Sequence, residues 1–238
     1  LAHQGDGTLA LADIEAAIKP DDAHFARSRL LCLENTLGGR ALPLAYMRDA
    51  TALACRRGLA AHLDGARLFN AATALHVSAR EIAQHFDSVS VCFSKGLGAP
   101  VGSVLVMNAA TLPAAARARK VLGGGMRQAG VIAAGGLYAL EHNVARLADD
   151  HGRARRLAEA LAALPGLDVD LDTVQTNMVF AGTRGTGVPA AELVSRLAVE
   201  GVLCLDEAPW SVRFVTHLDV DDDGLDAAIA GVKKVLGA

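Results

Sequence analysis

Apolar positions in this chain fall into two rhythms that take turns. Arg29 to Leu33 is a short, strand-like apolar run; Leu44 to Arg57 has helical spacing between Pro43 and Gly58; Leu59 to Leu63 is strand-like again. Ser78 to His85 predicts a short helix capped by Ser78, followed by strands over Ser88 to Phe93 and Val101 to Met107. A helix around Leu112 to Val121 and the glycine run Gly123-Gly124-Gly125 come next. From Ala129 the chain predicts a long helix, with Leu137, Leu140, Val144 and Leu147 at helical spacing and charges between them. Strands alternating with helices predict an α/β fold whose mostly parallel sheet is covered on both faces.

The polar run Ala148-Asp149-Asp150-His151-Gly152 ends that helix and is the expected domain boundary, dividing the chain into residues 1–147 and 148–238. Beyond it the pattern predicts a helix to about Leu164, the turn Pro165-Gly166, and strands near Leu167 to Val169 and Asn177 to Ala181. A helix over Ala190 to Glu200, strands at Val202 to Leu205 and Ser211 to Val215, and a last helix from Asp223 complete a small α+β domain.

With 52% hydrophobic and 21% charged residues, the 238-residue chain has the composition of a soluble globular protein with one large or two modest domains. A formal net charge of −3 and dispersed basic residues exclude nucleic acid and anionic membrane surfaces as expected partners. Cys32, Cys55, Cys92 and Cys204 lie far apart without metal-type pairs. Cys32 and Cys92 sit in apolar runs, which predicts buried free thiols in a reducing compartment and so a cytoplasmic protein. No stretch has the length and apolarity of a membrane span. The chain opens on Leu1 rather than Met and is expected to be a piece of something longer.

Two strand ends carry the candidate chemistry. Ala60-Ala61-His62-Leu63-Asp64-Gly65-Ala66-Arg67 and Val89-Ser90-Val91-Cys92-Phe93-Ser94-Lys95-Gly96-Leu97-Gly98 each run from an apolar stretch into a polar residue and a glycine turn. Asp64 and Lys95 should therefore project from the carboxyl ends of strands, where open α/β sheets bind ligands. That is the layout of a pyridoxal phosphate (PLP) enzyme, which needs a lysine for the cofactor aldehyde and an anion to keep the ring nitrogen protonated. Competing readings are weaker. Gly96-Leu97-Gly98-Ala99-Pro100-Val101-Gly102 places its last glycine one residue late for a dinucleotide fingerprint, and Pro100 sits where a helix should start. His62 and Asp64 lack a third metal ligand, so no metal site is expected. Alone, Lys95 reads as a surface lysine and Asp64 as a helix N-cap; two polar strand ends in one sheet favour a site.

Four segments bring a specific resemblance: His62-Leu63-Asp64-Gly65-Ala66-Arg67-Leu68-Phe69-Asn70, Phe93 to Ser103, Gly123 to Gln128, and Val212-Arg213-Phe214-Val215-Thr216-His217. In this order they resemble consecutive landmarks of the low-specificity L-threonine aldolases, which belong to the aspartate aminotransferase-like, fold-type I PLP enzymes. The resemblance implies cleavage of L-threonine, L-allo-threonine and related β-hydroxy amino acids to glycine and an aldehyde. Carried over by position, Lys95 is the Schiff-base lysine, Asp64 the pyridinium partner, Arg67 a contact to the ring hydroxyl, and Arg213 the clamp for the substrate carboxylate. Lys120 and Arg127 match positions near the cofactor, and the resemblance implies a homodimer or homotetramer with the active site near the subunit interface. Standing alone, Arg213 would read as an edge-strand arginine facing solvent. Other fold-type I activities, β-elimination on aromatic amino acids or transamination, remain alternatives, as does a non-catalytic remnant that dimerises.

The chain departs from the pattern twice. In Glu34-Asn35-Thr36-Leu37-Gly38-Gly39-Arg40, Leu37 stands where the family commonly has histidine, and leucine can neither accept nor donate a hydrogen bond, so the base for the substrate hydroxyl is unassigned. The family also carries roughly a hundred residues ahead of the point matching Leu1, with the turn and helix N-terminus that bind the cofactor phosphate and a histidine that stacks on the ring. Residues 1–147 are then the remainder of the PLP-binding large domain and 148–238 the small domain. The chain by itself is expected to bind PLP weakly and to self-associate.

Overall fold

The computed structural model describes residues 1–237. Backbone contacts divide the chain into two compact units, Leu1–Leu37 with Ala41–Val144, and Gly38–Arg40 with Ala145 onward.

The first unit is built on a sheet of four strands in chain order, β1 (Leu30–Glu34), β2 (Ala60–Gly65), β3 (Ser88–Cys92) and β4 (Ser103–Met107). β1, β2 and β3 are parallel and β4 is antiparallel to β3. Every second residue is apolar and buried: Leu31 and Leu33, Ala61 and Leu63, Val89 and Val91. Against this face pack α2 (Leu44–Arg56) through Met47, Ala50, Leu53 and Ala54, α3 (Leu68–Leu75) through Leu68, Ala71 and Ala72, and α4 (Ala79–Ala83) through Ile82. α1 (Leu11–Ala16) adds Ile14. α4 starts in a capping box, with Glu81 N–H donating to Ser78 Oγ and Ser78 N–H to Glu81 Oε2, as the sequence predicts.

The other sheet face holds Leu30, Cys32, Glu34 and Asp64 exposed, with His62, Ser88, Ser90 and Cys92 half-buried. Helices cover one face of this sheet rather than both. The strands alternate apolar and polar residues, and that alternation is the mark of one buried face. Of the two thiols expected to be buried from their apolar runs, Cys32 lies exposed on the open face and Cys92 is half-buried. β4 leaves Val104, Leu105 and Val106 exposed, α5 (Leu112–Val121) buries no residue, and α6 (Gly130–His142) buries Gly136 and Ala139.

The long helix predicted from Ala129 is two helices. α6 stops at His142, and α7 (Leu147–Ala162) begins before the polar run 148–152, which therefore lies inside a helix. Asp150 is fully buried there; Arg146, one turn earlier, pairs with it at 2.6 Å and supplies the charge that burial requires.

In the second unit β5 (Met178–Gly182), β6 (Leu205–Ala208) and β7 (Ser211–Val215) form an antiparallel sheet in the order β5-β7-β6. α7, α8 (Ala190–Val199) and α9 (Asp222–Leu236) close one core with it, joining Leu157, Leu161, Leu193, Leu197, Leu225 and Val232 to Val179, Val212 and Phe214. The strand expected at 202–205 begins at Leu205, because Val202 turns into this core; that expected at 167–169 is a single bridge from Asp168 to Gly182. Gly39 belongs to this unit: its carbonyl accepts from Thr176 Oγ1, and a Cβ there would meet Met178 Cβ at 2.7 Å.

At Gly65, a Cβ would lie 2.8 Å from the Ser90 carbonyl oxygen and 3.0 Å from Val89 Cγ1. Gly65→Ala should therefore push β2 from β3 and lower stability by about 1–3 kcal/mol. Denaturant unfolding with an unchanged m value and a lower midpoint would register this; an unmoved midpoint would contradict it.

Candidate active site

Parallel pairing sends the carboxyl ends of β1, β2 and β3 to one edge of the sheet. Glu34 and Asp64 are register partners there, and Asp64 is paired in turn with Ser90. The loop after β1 is tied down by buried Asn35, whose Oδ1 accepts from Leu42 N–H at 3.0 Å and whose own N–H donates to the Asp64 carbonyl at 3.0 Å. Asp64 Oδ1 accepts from Ala66 N–H at 3.0 Å, which fixes the carboxylate over the strand end. It caps no helix: α3 starts at Leu68 after Arg67, so the N-cap alternative for Asp64 falls. Two residues before it, the His62 ring bonds to Ser88 Oγ at 2.8 Å.

Lys95 lies three residues past β3 on a closed turn. Gly98 N–H donates to the Lys95 carbonyl at 2.8 Å, Ala99 N–H to Phe93 O at 2.9 Å, and Asn143 Nδ2 to Leu97 O at 2.7 Å. Gly98 and Gly102 take φ of +70° and +111°, conformations that glycine adopts without strain. Gly96 and Leu97 are buried while the Lys95 side chain stays exposed, so the loop is anchored from below and its amine stands free of the core.

A cavity of about 390 Å³ opens at this edge, lined by Glu34, Asp64, Leu37, Tyr46, Leu9 and His3 among others. Loss of water pushes the Glu34 carboxyl above its ordinary range, and the Asp64 charge pushes it further; Lys95, Arg67 and His3 pull weakly the other way. The charges of Asp64, Lys95 and Arg67, which the sequence singled out, are thus all felt at Glu34. Glu34 was not singled out. The alternation of Leu30-Leu31-Cys32-Leu33-Glu34 could have found it, since Glu34 shares a face and a strand end with Asp64.

The remaining candidates stand elsewhere. Lys120, at the end of α5, is exposed with its stem over Gly125, and Arg127 is exposed in the following turn. Arg213 lies in the second unit on β7, the central strand of its sheet and not an edge, between Phe180 and Leu205. Its Nη1 pairs with Glu207 Oε2 at 3.1 Å, and its Nε is buried without a hydrogen-bond partner. A buried donor left unsatisfied is uncommon in a folded protein and marks Arg213 as a residue to explain.

The family model described as beta-eliminating lyase matches residues 1–183. The low specificity L-threonine aldolase of Escherichia coli (strain K12) is 47% identical over 220 residues, covering 92% of this chain and 64% of that protein, so the chain spans under two thirds of that relative's length. A solved structure of Leishmania major threonine aldolase superposes with a TM-score of 0.76 at 19% identity, over 99% of this chain and 69% of the other. A PLP-dependent aminotransferase from Streptococcus suis 89-1591 gives 0.74 at 14% identity, over 100% and 63%. The fold is the aminotransferase-like α/β fold that the sequence led us to expect.

The folded protein holds the Glu34 proton more tightly than the unfolded chain does. This group's contribution is therefore greatest at low pH and is lost as pH rises from the ordinary glutamate value of 4.5 through the raised one. Glu34→Gln, in the protein that carries this chain, should raise Tm by roughly 1–3 °C at pH 7 and lose that gain below about pH 4. Thermal melts across this range check it; a destabilised variant at pH 7 would contradict it.

Proposed function

The chain belongs to the beta-eliminating lyase family, and from that premise we propose that the protein carrying it is a PLP-dependent carbon–carbon lyase that cleaves L-threonine, L-allo-threonine and related β-hydroxy amino acids to glycine and an aldehyde. The observation that carries this reading is the placing of Asp64 at the end of β2 and of Lys95 on the turn that follows β3, both at the carboxyl edge of a parallel sheet. Together with Arg67, these residues fit the ring end of the cofactor: an amine for its aldehyde, a carboxylate for its ring nitrogen, a guanidinium for its ring hydroxyl.

Bound pyridoxal phosphate supplies a protonated ring that draws off the electron pair left on Cα when the Cα–Cβ bond breaks. Asp64 keeps the ring-nitrogen proton in place by opposite charge, and its bond from Ala66 N–H keeps the carboxylate from turning away. Lys95, raised on its glycine turn, would hold the cofactor through its aldehyde, in the place that the amino group of the substrate takes over. Arg213 would grip the substrate carboxylate through its guanidinium and so set the orientation of the amino acid whose Cα bond is to break. Lys120 and Arg127 are assigned to the cofactor's surroundings in a cytoplasmic homodimer or homotetramer with the active site near the subunit interface.

The family's own description keeps β-elimination as a second reading. Product analysis separates the two, because aldol cleavage of L-threonine releases acetaldehyde and glycine whereas elimination releases a keto acid and ammonia. Lys95→Ala should abolish turnover with the fold intact, and borohydride reduction of the wild-type holoenzyme should fix the cofactor on the peptide containing Lys95; label on Lys120 would sink the assignment. Asp64→Asn should raise the barrier by about 3 kcal/mol, roughly a hundredfold in kcat. An unchanged kcat would leave Asp64 with no part in the chemistry.

A further inference from the structure

Glu207 stands outside the ladder of its own strand. Leu205 faces Arg213 and Asp206 faces Val212, but the register then slips so that Ala208 faces Ser211, leaving Glu207 as the extra residue of a bulge. Bulges re-aim side chains, and this one brings Glu207 Oε2 to 3.1 Å from Arg213 Nη1. Among the described residues this is the ion pair that Arg213 makes. The contact occupies Nη1, while Nε remains buried and unpartnered. Because a guanidinium is planar, fixing Nη1 fixes the direction in which the Nε–H points.

We propose that Glu207 is a positioning residue for substrate binding: it holds the Arg213 guanidinium by Nη1 and so fixes the orientation in which the remaining donors of that guanidinium meet the carboxylate of an amino acid substrate. This rests on the assignment of Arg213 as the carboxylate clamp. The charge of Glu207 also opposes an incoming carboxylate. Its side chain is 47% exposed, so water screens that repulsion.

The test uses the holoenzyme that carries this chain and its Glu207→Ala, Glu207→Gln, Glu207→Lys and Arg213→Ala variants. For Glu207→Ala the KM for L-threonine and the Kd for glycine should both rise roughly five- to tenfold and kcat should fall by about two- to fivefold, since a clamp that has lost its orientation binds the carboxylate less well and aligns the scissile bond less well. Ethanolamine, an amine without a carboxylate, should bind Glu207→Ala as it binds wild type. Glu207→Gln, which retains an oxygen to accept from Nη1, should stay within about threefold of wild type, and Glu207→Lys should exceed the alanine effect. If Arg213→Ala weakens glycine binding while Glu207→Ala and Glu207→Lys leave it unchanged or tighten it, the positioning role is overturned and the clamp stands. If Arg213→Ala leaves glycine binding unchanged, the clamp assignment itself is wrong and the inference falls with it.

Discussion

The register between β1, β2 and β3 is the constraint on which the candidate site depends. Burying Leu33, Leu63 and Val89 on one face forces Glu34 and Asp64 to the other, since side chains alternate along a strand. Parallel pairing then places both carboxyl groups at the same edge, beside the turn that bears Lys95. A slip of one residue in β2 would turn Asp64 into the core and bring Leu63 out, so the energy of core packing is what holds the functional face in register. Gly65 tightens the constraint, because β2 and β3 approach too closely there for a Cβ.

Electrostatics follow from that geometry. Two carboxyl groups on adjacent strand ends repel, and at Glu34 that repulsion adds to the loss of water in raising its proton affinity. The cations Lys95 and Arg67 moderate the field without cancelling it. An edge of this kind, negative at the strand ends and rimmed by cations, suits a ligand with a protonated ring and anionic substituents.

The second unit handles charge differently. Arg213 sits on a central strand flanked by Phe180 and Leu205, which removes much of its water and leaves its donors in need of acceptors. Glu207 satisfies one of them through a bulge, a feature of backbone register. Asp150 and Arg146 meet the same demand inside α7 by helical spacing, one turn apart.

Local rhythm alone determined most of the elements, the capping box at Ser78, and the placing of Asp64 at a strand end and of Lys95 on the turn after one, because each depends on residues near in sequence. Motif resemblance determined the family and the aminotransferase-like fold. Tertiary structure decided what depends on distant partners. The helix expected to end at 148–152 stops at His142, and a second helix runs through that polar segment, where Arg146 compensates a buried Asp150. Arg213 belongs to the middle of its sheet, since strand order is set by pairing that no local pattern encodes. Cys32 is exposed because its place in the alternation puts it on the open face, where apolar neighbours in sequence offer no burial. Glu34 entered the site, and Glu207 reached Arg213, through register and a bulge that form only when strands far apart in the chain are joined.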